Sequence, residues 1–305
     1  MKLFVVALAI IGYLGKCQGS AMVSPEALNV TLAVFSGVPD PQWLVTPNAF
    51  NYQKIKQLYG TAKTSRATYL LEQMPAKLGY KGFLIRENGQ DQATLILGPA
   101  TKELQEQLLK SIPVGKGLPE SLQNQVAVVI KSGKVLPVDP KDLKERVVKR
   151  AAPNYEGASV IWNTNYARPR NNCYNYGNDK ATNTFAQPGR GSGLVYGGIT
   201  NDEIKEASRR DGLVKVDAGA DIPNISPTGP WHLVALVVDP GVDFHWYRLD
   251  SNGNWSHKPG QTRITNTDGA GNLINDPRLA ANALGGPNYA FVCFMKTNKN
   301  TVNIR

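Results

Sequence analysis

Cys173 and the chain's three histidines, His232, His245 and His257, are the side chains whose types and spacing would carry nucleophilic chemistry. All three imidazoles fall in one stretch, WHLVALVVDPGVDFHWYRLDSNGNWSHKPG, residues 231–260. HLVALVVD is a short β-branched run that Pro240-Gly241 breaks; DFHWYRL is a second β-prone run, and Asn252-Gly253 supplies the turn expected after an antiparallel strand. His232 and His245 open neighbouring strands thirteen positions apart. Pairing of those strands is expected to bring both rings to one end of one sheet, where a base and its orienting partner would be held rigidly. Cys173 follows Asn171 and Asn172, both good helix caps, so it is expected in the first turn of a helix. The positive end of that helix would lower the thiol pKa and favour the thiolate.

Other chemistries are poorly served. There is no H-x3-H or C-x2-C spacing, so no metal site is expected. DSNGN begins like a calcium loop, but Trp255 stands where the sixth-place glycine belongs and Gln261 where the twelfth-place glutamate belongs. QPGRGSG lacks the lysine and the spacing of a phosphate loop, and no cofactor is expected. A second fate for the thiol stays open: Cys173 and Cys293 would form a disulfide in an oxidising compartment, unless Cys293 in YAFVCFM is a buried strand residue.

The compartment is read from the start of the chain. Met1-Lys2, the apolar run LFVVALAIIGYLG and small residues at the exit describe a signal peptide over 1–21, which would remove Cys17 and send the protein out of the cell. No later run approaches the ~20 apolar residues of a membrane span. Asn29, Asn224 and Asn254 each open an acceptor tripeptide for glycosylation. The net charge of +10 is uneven: residues 151–305 hold 15 Lys+Arg against 13 Asp+Glu, and residues 1–150 hold 19 against 11. The excess is scattered and not interleaved with aromatics, which argues against a nucleic-acid partner.

The elements that position these residues divide the chain. Residues 22–137 read as a small α+β unit, a domain or a propeptide, in the order β-α-β-β-α-β of a ferredoxin-like sandwich. LNVTLAVFSG, KGFLIREN and QATLILG are its strands, with QVAVVIKSGKVL supplying the last; NYQKIKQLYG, SRATYLLEQM and ATKELQEQLLKSI are helical. FSGVPDPQW has the look of a signature phrase. Residues 138–150 form a charged linker closing on Lys149-Arg150, a dibasic pair where a processing protease would cut. Residues 151–305 are expected to form an antiparallel sheet packed on helices, one of them in GGITNDEIKEASRRDG.

Cysteine at a helix start, followed by PWHLVALVVD and then His245, resembles the papain-like arrangement and, more closely, the NlpC-type and CHAP-type cysteine peptidases and amidases. The resemblance covers residues 166–260; it has no D-C-S-G phrase, and Trp231 replaces the glycine before the histidine. It implies Cys173 as nucleophile, His232 as general base and His245 as the orienting residue. The reading it supports is a secreted cysteine hydrolase acting on peptide or cell-wall amide bonds, made as a precursor cut after Arg150. The alternative is a non-catalytic extracellular-matrix or biomineral-matrix protein that binds a polymer, with surface aromatics among Trp162, Tyr166, Trp246 and Trp255.

Overall fold

In a computed structural model the described residues are 26–115, 118–143, 153, 155–219, 221–225 and 230–305. The signal segment and Lys149-Arg150 lie outside them. The protein is α+β, with one antiparallel sheet in each half of the chain.

The N-terminal sheet is built from β1 (Leu28–Ala33), β2 (Gln42–Val45), β3 (Gly82–Glu87) and β4 (Thr94–Ile96), in the order β2-β1-β3-β4. Alternation decides its two faces. Val30, Leu32, Trp43, Phe83 and Ile85 point into a core shared with α1 (Tyr52–Thr64), α2 (Lys102–Lys110) and α3 (Glu120–Ser132). Asn29, Thr31, Gln42 and Arg86 occupy the alternate positions on the other face.

The expected β-α-β-β-α-β order is corrected to β-β-α-β-β-α-α. QVAVVIKS is the helix α3, with Leu122, Val126, Val129 and Ile130 buried at helical spacing and Gly133 in the left-handed conformation closing it. SRATYLLEQM forms no α-helix: Tyr69 bridges to Leu95, and only a 3-10 turn covers Leu71–Gln73. The prolines of VPDPQW turn the chain back into β2.

The C-terminal sheet has the order β5-β9-β6-β7-β8: β5 (Val214–Val216), β6 (Trp231–Asp239), β7 (Asp243–Leu249), β8 (Trp255–His257) and β9 (Ala290–Asn298). β6 and β7 pair antiparallel about a turn at Gly241, which has φ +78°. The remaining helices are α4 (Tyr155–Trp162), α5 (Cys173–Gly177) and α6 (Asn201–Arg210). One sheet face carries Val234, Leu236, Val238, Phe244 and Trp246, packed on Cys173, Tyr174 and Ile204 of α5 and α6. The other carries Leu233, Ala235, Val237 and Tyr247, covered by Ile274, Ala283 and Tyr289 of the long connection before β9. Trp162, Trp246 and Trp255 are core residues; of the four expected surface aromatics Tyr166 alone is exposed. Indoles bury the largest apolar area of any side chain, and here they fill the interior.

Candidate functional site

Asn172 caps α5 as its residue type predicts, its side chain accepting from Tyr174 N and Asn175 N at 3.1 Å each. Cys173 therefore does open a helix. Its thiol is fully buried, and Sγ lies 3.9 Å from the Phe244 carbonyl. Burial, then the nearby Asp243 carboxylate, pushes the thiol pKa well above its ordinary value, the reverse of the expected lowering. Five helical residues give too small a dipole to offset that environment. Cys293 sits in β9 as a small buried residue, its thiol pushed up to about 11 by burial. Both cysteines are free thiols, so the alternative Cys173–Cys293 disulfide does not form in this structure.

The histidines do not assemble a relay with that thiol. His232 Nε2 lies 2.7 Å from the Gly177 carbonyl; a carbonyl only accepts, so this nitrogen carries the proton. In the β6–β7 register His245 stands opposite Val237, five residues along β6 from His232, a separation of about 17 Å along the strand. The two rings also lie on opposite faces of the sheet, His232 with Val234 and Leu236, His245 with the residues around Tyr247. The expectation that both would meet at one sheet end is thereby corrected.

His245 pairs instead with His257, Nε2 to Nδ1 at 2.8 Å. His257 Nε2 donates to the Thr267 carbonyl at 2.8 Å, so its Nδ1 accepts and His245 Nε2 donates. His245 Nδ1 is left as a buried acceptor without a partner among the described residues. Burial lowers all three imidazole pKa values, to about 4 for His232 and His257 and well below the usual value for His245. These are neutral rings committed to structural hydrogen bonds.

The densest polar chemistry sits where the two halves of the chain meet, and the histidine argument misses it. The Asp243 carboxylate accepts from the backbone N–H groups of Ser36 (2.6 Å), Gly37 (3.1 Å), Val38 (2.9 Å) and Phe244 (2.8 Å), and from the Tyr289 hydroxyl (2.6 Å). Burial raises its pKa to about 6 against the pull of those donors. The Gly37 carbonyl accepts in turn from Asn172 Nδ2 at 2.8 Å and Gln187 Nε2 at 2.9 Å.

Two lysines are fully buried and held by carbonyls, one within each half of the chain. Lys81 Nζ donates to Phe35 O (3.2 Å) and Gly79 O (3.1 Å). Lys258 Nζ donates to Arg168 O (2.7 Å), Asn171 O (2.7 Å) and Gly260 O (2.6 Å). Burial lowers both amine pKa values, Lys258 well below the usual range. The signal in the sequence was FSGVPDPQW: its Ser36-Gly37-Val38 forms the cradle and its Asp40 accepts Val34 N and Phe35 N at 2.8 and 2.7 Å. A further buried cluster joins Arg248, Asp250, Ser256 and Tyr176, with Ser256 donating to Asp250 and Arg248 Nη2 to the Tyr176 hydroxyl at 2.7 Å.

Of the glycosylation acceptors, Asn224 and Asn254 are exposed; Ser226, which completes the Asn224 tripeptide, lies outside the described residues. Asn29 is half-buried in β1, with its Oδ1 buried and unpartnered. Among the described residues no group of His, Cys, Asp or Glu would hold a metal ion, and no helix is long and apolar enough to cross a membrane.

Fold and site together define a class: a two-sheet α+β protein whose buried titratable groups serve structural hydrogen bonds, with Asp243 sealing the junction of the two halves. No family model and no solved structure matches the chain. It is 49% identical over 122 residues to the insoluble matrix shell protein 1 of Ruditapes philippinarum, an alignment covering 39% of this chain and 76% of that protein. The chain belongs to the family of that shell protein.

Proposed function

We propose that this chain is a secreted, non-catalytic protein of an extracellular matrix, a folded module that binds a matrix polymer. The observation that carries the reading is the similarity to an insoluble matrix shell protein, 49% over 122 residues. The site supports it from the chemical side. A hydrolase needs a nucleophile within hydrogen-bond reach of a base, whereas Cys173 faces a carbonyl and His232 faces another. Of residues 1–21 the reading keeps the secretory role, which agrees with a matrix location.

Co-sedimentation tests it: the purified protein is mixed with the insoluble organic fraction of a demineralised shell, at low salt and at high salt. Retention that survives high salt is expected. A protein that stays wholly in the supernatant removes the matrix reading. Turnover of amide substrates that Cys173→Ser abolishes would restore the hydrolase.

A further inference from the structure

The helices cover one face of the N-terminal sheet; the other face is open and forms a groove of about 210 Å³. Six polar side chains line it: Asn29 and Thr31 of β1, Gln42 of β2, Arg86 of β3, Asp40 and Gln261. The register sets them in rows, Gln42 beside Thr31 and Leu44, Asn29 and Arg86 side by side in the next. Neighbours are thus about 5 Å apart across the strands and about 7 Å apart along them.

These side chains are idle within the fold. Apart from Asp40 Oδ1, which holds two backbone N–H groups, none of the six makes a hydrogen bond to the rest of the described protein. Asn29 Oδ1 is buried and orphaned. A buried amide oxygen without a donor is costly, and a rotation of the Asn29 amide toward the groove would offer it to a ligand hydroxyl. A sheet stabilised for its own sake would carry cross-strand pairs on such a face; this one carries unpaired donors and acceptors in a concavity.

We propose that this groove binds an uncharged, hydroxyl-rich saccharide. Three primary amides and a threonine hydroxyl donate and accept at once, which suits hydroxyl groups that do the same. Arg86 and Asp40 bring opposite charges to the groove, so it offers no single-sign field to a polyanion. A peptide strand would use a free sheet edge and its backbone groups; the groove lies on a face and offers side chains only. Leu84, in the same row as Gln42 and Thr31, is a nearly buried apolar side chain at the groove's floor. The volume equals about seven waters at ~30 Å³ each, room for one sugar ring of a chain running past it. Gln261 comes from the far side of the junction, where Gly260 packs against the Phe35 carbonyl, so the groove is complete only in the joined molecule.

The inference rests on the polymer-binding reading and names the polymer's chemistry. The test titrates the full chain with glucose, a cello-hexaose, a hexamer of N-acetylglucosamine and a sulfated glycan, followed by calorimetry. Saturable binding of a neutral hexamer is expected, at least tenfold weaker in Gln42→Ala/Arg86→Ala, two exposed positions whose loss leaves the melting temperature in place. Lys54→Ala, on the helical side, keeps wild-type affinity. Equal binding of glucose would assign the groove to free sugars, and overturn the polymer part of the inference. Affinity untouched by the double variant, binding of the sulfated glycan alone, or a glycan found on Asn29 by peptide mapping would each overturn the groove. The two readings fail separately. Double-variant protein that co-sediments like wild type removes the groove and leaves the matrix reading; wild type that does not co-sediment removes the matrix reading, while the titration still decides the groove.

Discussion

Gly37→Ala is the sharpest perturbation of the junction. A Cβ at this position would lie 2.4 Å from the Phe244 carbonyl oxygen and 2.6 Å from its ring carbons, against an ordinary contact of 3.4 Å or more. The nearest struck atom is backbone and the ring beside it is fully buried, so no side-chain rotation relieves the overlap, and the 36–38 loop must withdraw by about 1 Å. That shift lengthens the Ser36 and Val38 bonds to Asp243, now 2.6 and 2.9 Å, beyond the hydrogen-bond range. The amide bonds from Asn172 and Gln187 to the Gly37 carbonyl go with them. Two charge-assisted bonds at ~1.5–3 kcal/mol and two neutral ones at ~1 kcal/mol give a loss of about 5–8 kcal/mol, of which relaxation should recover a part. A net loss of about 4–6 kcal/mol is expected, on the order of 10 °C in melting temperature for a chain of this size. Gly60→Ala is the control. Gly60 lies inside α1 with nothing within 4 Å of the added carbon, so alanine should stabilise by about 0.5–1 kcal/mol. Paired urea denaturation of the three proteins measures both. A Gly37→Ala midpoint within about 1 kcal/mol of wild type would refute the claim that the loop is locked onto Asp243.

Three further outcomes follow from the same geometry. The histidines predict loss of stability in mild acid. Their folded pKa values are lowered, to about 4 for His257, so below about pH 6.5 the unfolded chain takes up protons that the folded one refuses. Each ring costs about 2 kcal/mol between pH 6.5 and pH 5, whereas Asp243, raised to about 6, returns about 1 kcal/mol over the same range. The raised carboxyls of Asp40, Asp211 and Asp250 offset a further part, so a net fall of a few kcal/mol at most is expected, and a melting temperature flat or rising from pH 7 to pH 5 would contradict it. Both thiols of the described residues are buried and free, so iodoacetamide at pH 8 should label neither in the native protein and both in urea without a reductant. A need for reductant would mean a disulfide. Finally, protease nicking at Lys149-Arg150, outside the described residues, should yield two bands on a denaturing gel and one peak on native gel filtration. The contacts of Asp243, Asn172 and Gln187 with residues 36–38 hold the halves together, and fragments that part without denaturant would show those contacts to be too weak.

Local chemistry was legible where a turn residue and a periodic run agreed. Asn88-Gly89 between β3 and β4, Gly241 between β6 and β7, and Thr200 capping α6 all sit where their types place them, Gly89 and Gly241 with positive φ. α3 was not legible, because VAVVI is a β-branched run whose strand preference competes with its helical spacing. Packing of Leu122, Val126 and Ile130 into the sheet core decides in favour of the helix.

The failure at the candidate site is more instructive, since its remedy was in the sequence. A tight turn at Pro240-Gly241 sets Asp239 opposite Asp243, and in that register two residues share a face only when their numbers add to an even total. Positions 232 and 245 add to an odd one, which places the rings on opposite faces whatever their side chains. Order along the chain suggested a relay that pleat parity forbids. The buried lysines lay beyond any such rule. Lysine is almost never fully buried unless paired, and what pairs Lys81 and Lys258 is backbone carbonyl, including Arg168 O from 90 residues before Lys258. Backbone carbonyls have no sequence signature, so a buried lysine held by carbonyls and one that faces water are spelled alike. The glycines are the better guide: Gly37 and Gly260 each stand where a Cβ would strike a carbonyl of the other half of the chain. Close approach of two backbones, rather than a catalytic cluster, is what this sequence is written around.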